Sequence, residues 1–259
     1  MNLHSPLPRS TLARLLHDWA QVDGEPPRQD VAERLGQWLG AADAVQLDGA
    51  LQAIEAYPAQ ARQRGLRTEP LDAPALQAAL QRTRTELEEM LTAGASVTAE
   101  GPQALQTGYS LHHQRYLTLQ KRMELAVAKL RGQVRQTLSR GPVPLRQLAA
   151  LDGVLEQVLG AREQKLLTSV PVYLERRHTH WLAAHRQQRA ASGPATAPDD
   201  PEAWTQPGGW LHSFRQDLRE LLLAELQLRL QPVAGLIEAA TEAAAQDRPP
   251  EQPEVREAT

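Results

Sequence analysis

From Tyr109 to Val170 the chain carries large apolar residues at the period of an α-helix, and that pattern leaves little choice of fold class. Tyr116, Leu119, Met123, Val127, Leu130, Val134 and Leu138 step by three or four positions, which at about 100° per residue holds them in one stripe. Beyond Gly141-Pro142-Val143-Pro144 the spacing resumes with Leu148, Leu151, Leu155 and Val158, then Leu159, Leu166 and Val170. Two amphipathic rods joined by a short glycine and proline turn are expected to pair as an antiparallel hairpin, each burying its stripe against the other. Isoleucine occurs only at Ile54 and Ile237 and phenylalanine only at Phe214, so strand formers are scarce. The expected fold is all-α: a short three-helix head, a long antiparallel helical hairpin or bundle, and a tethered C-terminal helix.

Start and stop signals divide the rest. A helix capped by Ser10 or Thr11 carries Leu12, Leu15, Leu16 and Trp19. A second runs from about Pro27 through Leu35 and Trp38 to Gly40, and a third from Asp43 through Val45, Leu47, Leu51 and Ile54 to Pro58. These make the head, 1–58, followed by a connector at 59–71. Asp72 and Pro74 open a helix through Leu76, Leu80, Leu87 and Leu91, the first of a bundle spanning 72–190 in which Pro171 should interrupt the second rod. The proline- and glycine-rich stretch 191–209 reads as a flexible linker, and 210–246 as a helix with a break near Pro232. Residues 247–259 read as a disordered tail.

Little here speaks for catalysis. The formal charge of -3 argues against a wholesale polyanion binder. Without cysteine there is no disulfide framework and no thiolate metal site. No run approaches the roughly 18 apolar residues of a membrane span, and Met1 to Ser10 has no leader-like apolar core, so the cytoplasm is the expected compartment. Neither a G-x-S-x-G elbow nor a glycine-rich phosphate loop is present. Glu88-Glu89 and Asp199-Asp200 are adjacent pairs whose side chains diverge, as solvated charge does. His178, His180 and His185 lack the i, i+4 spacing of helical zinc ligands. They make a centre only if they meet His112 and His113 across the hairpin, so no catalytic residue, metal ligand, cofactor or small-molecule ligand is assigned.

The charge layout points instead to surfaces. Arg115, Arg122 and Lys129 recur every seven residues beside the apolar stripe. Such a ridge tracks phosphates, docks an acidic helix, or snorkels over a bundle seam to pair with Glu86 to Glu89. Trp204 and Trp210 flank Pro207-Gly208-Gly209, with Phe214 one turn further on, as a docking element beside a hinge would be arranged. Trp19, Trp38 and Trp181 read as packing residues.

With these elements placed, Val31-Ala32-Glu33-Arg34-Leu35-Gly36-Gln37-Trp38-Leu39-Gly40 with Asp43-Ala44-Val45-Gln46-Leu47 resembles the amino-terminal signature of a proteobacterial family of unknown function. Gly160-Ala161-Arg162-Glu163-Gln164-Lys165-Leu166-Leu167 with Val170-Pro171 resembles its second block. The resemblance implies a helical protein without assigned catalytic residues. It further implies gene neighbourhoods that encode a proton-channel-like membrane protein and an OmpA-like envelope protein. The function expected is therefore a non-enzymatic helical interaction or scaffold protein, a cytoplasmic partner of an envelope complex. Its partner is another helical protein or a second copy, bound through the apolar faces of the hairpin and the last helix. Nucleic-acid binding through the Arg115, Arg122 and Lys129 ridge, and a histidine-centred enzyme or metal protein, are the competing readings.

Overall fold

The computed structural model describes residues 10–22, 45, 47–56, 69–96, 108–192 and 200–246, and among them there is no strand. The helices are α1 (Thr11–Val22), a helical run at 47–56, α2 (Ala73–Ser96), α3 (Tyr109–Leu138), α4 (Val143–Leu167), α5 (Val170–Ala191), α6 (Pro201–Thr205) and α7 (Trp210–Gln246). The chain is all-α.

Local chemistry sets the ends. Ser10 Oγ accepts the Ala13 amide at 3.2 Å and Asp72 Oδ1 accepts the Ala75 amide at 2.9 Å, each satisfying a donor that a helix start leaves over. Pro171 lies in the first turn of α5, where its missing amide costs nothing, so the second rod divides into α4 and α5 there. Asp200 Oδ1 caps α6 by accepting the Glu202 amide at 3.0 Å. Gly208 adopts φ 91°, a left-handed turn, and a Cβ on Gly209 would stand 2.3 Å from the Trp204 carbonyl oxygen, so only glycine fits the approach to α7.

The long helices form a bundle organised on α7, which packs against α1, α2, α3, α4, α5 and α6. The Glu69 amide donates to the Arg140 carbonyl at 3.0 Å while Gly94 abuts Leu119, so α2 runs antiparallel to α3. His185 lies by Trp210 and Arg177 by Asp217, so α5 and α7 are antiparallel as well. The buried positions of α7 run nearly round the helix, including Leu221, Leu222, Ala224, Glu225 and Leu226, as expected of a helix covered on several sides.

Several expectations need correcting. The C-terminal helix, whose wide apolar surface suits either its own bundle or another protein, packs in the middle of the bundle in its own chain. Leu218, Leu221, Leu222, Leu226 and Leu230 are fully buried. At about 1.5–3 kcal/mol per leucine their burial stabilises by on the order of 10 kcal/mol. Removing α7 would therefore cost about as much as a typical domain's whole stability, roughly 5–15 kcal/mol. The α3 stripe is buried as the periodicity requires, but it shares its core with α2 and α7 more than with α4, where Leu151 and Leu155 are only half-buried. Residues 200–209, expected to belong to a linker, carry α6 docked on α7. Leu12 and Trp19 of α1 join the common core, whereas Val45 and Leu51 are exposed, so the described part of the head has no apolar core of its own. The expected second head helix and the tail lie outside the described residues.

The helix α7 also runs unbroken through Pro232. Pro232 is exposed while Leu230 before it and Val233, Leu236 and Ile237 beyond it are buried, so core contacts on both sides hold the helix. Replacing Pro232→Ala restores the amide donor at a site with no packing to lose. It should raise the midpoint of urea unfolding, with a gain of about 1–3 kcal/mol.

Candidate functional site

At one end of the bundle the starts of α3 and α7 meet the middle of α5 in a cluster of rings. His112 and His178 are both buried, at 4% and 3% exposure, with ring centroids 5.8 Å apart. Phe214 stands edge-on to both, at 5.0 and 4.9 Å. Trp210 packs on His178 at 5.5 Å, and Trp204 on Trp210 at 5.9 Å. Tyr109 stacks on His113 at 5.6 Å, lies 5.8 Å from His178, and donates its hydroxyl to the Pro171 carbonyl at 2.7 Å. The two histidine groups singled out in the sequence thus meet through His112 and His178, whereas His180 packs on Trp181 and His185 on Trp204.

Burial decides the chemistry of the pair. It pushes His112 down to about 4, helped by His178, Arg115 and Arg215, all of which oppose a positive charge there. His178 is lowered by burial as well, against a smaller opposite pull from Glu175. His112 Nδ1 and His178 Nε2 are buried with no hydrogen-bond partner, as fits two neutral imidazoles held by packing. Burial, then Glu175, raises Tyr109, so its phenol stays protonated. Among the described residues no group of three or more His, Asp or Glu side chains is placed to hold a metal ion.

Next to the rings, between the first turns of α3 and α5, lies an open groove of about 500 Å³ lined by Tyr109, His113, Leu117, Pro171, Val172 and Glu175, among others. Leu117 and Val172 are 44% and 49% exposed on it. Apolar side chains of this size left in water on one ledge suit a docked surface.

Elsewhere four acids, Glu225, Asp152, Glu156 and Asp217, are engaged in holding helices together. Glu225, 0% exposed, accepts from Tyr116 Oη at 2.7 Å, Gln120 Nε2 at 2.9 Å, and Arg229 Nε and Nη2 at 3.0 and 2.8 Å. Arg131 binds Asp152 through two parallel bonds of 2.9 and 2.6 Å, and Arg135 pairs with Glu156. Arg177 lies between the rings of Trp19 and Trp181, at 5.6 and 5.2 Å, while Asp217 accepts from Arg177 Nε at 2.8 Å and Trp181 Nε1 at 2.6 Å. None of these acids was singled out in the sequence. The one available signal was an acid four residues before an arginine within an apolar run, Glu225 and Arg229.

The residues singled out earlier are dispersed. Arg122 and Lys129 are exposed on α3, while Arg115 is half-buried near His112. The arginines that cross the seam are Arg131 and Arg135, and they meet Asp152 and Glu156 of α4. Trp210 and Phe214 are core residues and Trp204 is half-buried against Trp210.

Two outcomes follow. Glu225→Ala strands the Tyr116 hydroxyl and the Arg229 guanidinium in the interior and should cost about 3–5 kcal/mol, read as a lower urea midpoint. Because the folded His112 and His178 titrate below the ordinary value of 6.5, their contribution to stability is complete above that pH and is lost as pH falls towards about 4. Unfolding at pH 7.5 and 5.0 should differ by on the order of 1–2 kcal/mol more in the wild type than in His112→Gln.

No curated protein and no solved structure matches the chain. A family model does, over residues 1–242: the family described as a protein of unknown function, DUF3348. The chain, a helical bundle in its described residues, belongs to this family.

Proposed function

We propose that the protein is a non-enzymatic helical interaction protein that docks an amphipathic helix of another protein in the groove between the starts of α3 and α5. The observation that carries this reading is the exposure of Leu117 and Val172 side by side on that groove, beside the exposed acid Glu175. A helix offering leucine-sized side chains at i and i+4, with a lysine or arginine one turn away, would cover both apolar groups and reach Glu175. The inward use of Glu225, Asp152, Glu156 and Asp217 supports a role without acid–base chemistry. Among the described residues the apolar stripe of α3 and the apolar faces of α7 are consumed within the chain, and the groove is an apolar surface open to a partner. The placement of this activity beside an envelope complex rests on the family resemblance. No helix among the described residues is long and apolar enough to cross a membrane.

A photoreactive side chain at Val172, introduced in the native host, tests the reading against the same group at the exposed Gln133. Crosslinks to a helical protein from Val172, absent from Gln133 and lost on Leu117→Asp, are the expected result. Equal crosslinking from both positions, or none from Val172, would overturn it. A second reading draws on the Arg115, Arg122 and Lys129 ridge, of which Arg122 and Lys129 are exposed along α3 and suit phosphates. Under it, mobility shifts with nucleic acid at low salt would disappear steeply as salt rises, and the Val172 crosslinks would not form.

A further inference from the structure

The groove and the buried histidine pair share a wall. Tyr109 lines the groove on one side and packs on His178 on the other, 5.8 Å between centroids, with its hydroxyl bound to the Pro171 carbonyl. His178 in turn touches His112, Phe214 and Trp210. We propose that His112 and His178 form a proton-operated latch on the docking groove. With both imidazoles neutral Tyr109 stays seated, and protonation of the pair unseats Tyr109 together with the first turns of α3 and α7. The inference rests on the docking role assigned to the groove above.

Three observations on the geometry carry it. The pair is nine-tenths or more buried, and each ring has a buried nitrogen without a partner, so an added proton would find no acceptor in place. The rings stand 5.8 Å apart, so charging both sets like charges against each other where water is excluded. His112 also lies in the first turn of α3, whose unsatisfied amides give that end a partial positive charge. The charged groups acting on the pair are Arg115 of α3, Arg215 of α7 and Glu175 of α5, and only Glu175 favours protonation.

The opening should be local. The first turn of α3 has no side-chain cap on its N-terminus, so the Tyr109–Pro171 bond is a main tie of that end. Further along the bundle the Glu225 cluster and the pairing of Arg131 with Asp152 tie the helices together through charges that are paired in the interior.

Hydrogen exchange on the isolated full chain, corrected for intrinsic rates, tests the latch without any partner. Between pH 7 and 5 the opening of 109–116 and 210–214 should rise by up to about tenfold per pH unit for each histidine, while 125–138 and 218–230 stay protected. A His112→Gln, His178→Gln double variant should lose this pH dependence. The single variants, which disturb the packing less, should each lose about half of it. Loss of protection in all segments together, or an unchanged pH response in the variants, would overturn the proposal. Crosslinking from Val172 at pH 7.5 and 5.5 supplies the second arm: it should fall at the lower pH in the wild type and hold in the double variant. Local opening with pH-independent crosslinking overturns the latch and leaves the docking reading intact. Local opening with no crosslink at either pH overturns the docking reading instead.

Discussion

The burial of α7 inside its own chain is the constraint on which the other features depend. A helix with leucines on several faces has no stable exposed state, and here α1, α2, α3, α4, α5 and α6 all pack on it. That arrangement takes the last helix out of the set of surfaces available to a partner. It also brings the start of α7, with Trp210 and Phe214, against the histidines of α3 and α5, although these residues are far apart in sequence. Without α7 in place there would be no ring cluster and no buried imidazole pair.

Around that apolar centre the polar groups act as registration points. Glu225 receives donors from α3 and from its own helix, and the Arg131 and Arg135 pairs hold α4 against α3 where the leucines of α4 are half in water. Arg177, between Trp19 and Trp181 and bound to Asp217, ties α1, α5 and α7 together. Buried pairs of this kind add little net stability once desolvation is counted, but a register shifted by one residue would leave charges stranded, which costs far more. Their effect is to select one alignment of helices whose apolar stripes alone tolerate several.

The groove beside the rings is what this packing leaves over. Pro171 divides α4 from α5 and places Val172 beside Leu117, so a break in the second rod creates the ledge. Tyr109 connects the ledge to the buried pair, which gives the surface and the interior a common element. A site for recognition and a site sensitive to protons are thus neighbours because the starts of α3 and α7 both converge on α5.

Sequence alone determined the helical class and the α3 stripe from Tyr116 to Leu138, because a 3.6-residue period is a local property that survives any packing. It also required an interruption of the second rod at Pro171, since proline acts on its own turn. Which face of which helix covers the stripe was decided by tertiary structure: leucines carry no address, and the α3 stripe meets α2 and α7 as well as the adjacent α4. The continuity of α7 through Pro232 was likewise decided by Val233, Leu236 and Ile237 entering a core formed by distant segments. The meeting of His112 with His178 and of Tyr116 with Glu225 has the same origin. Spacing along a chain fixes directions around one helix axis, and only the packing of several axes brings those directions to a common point.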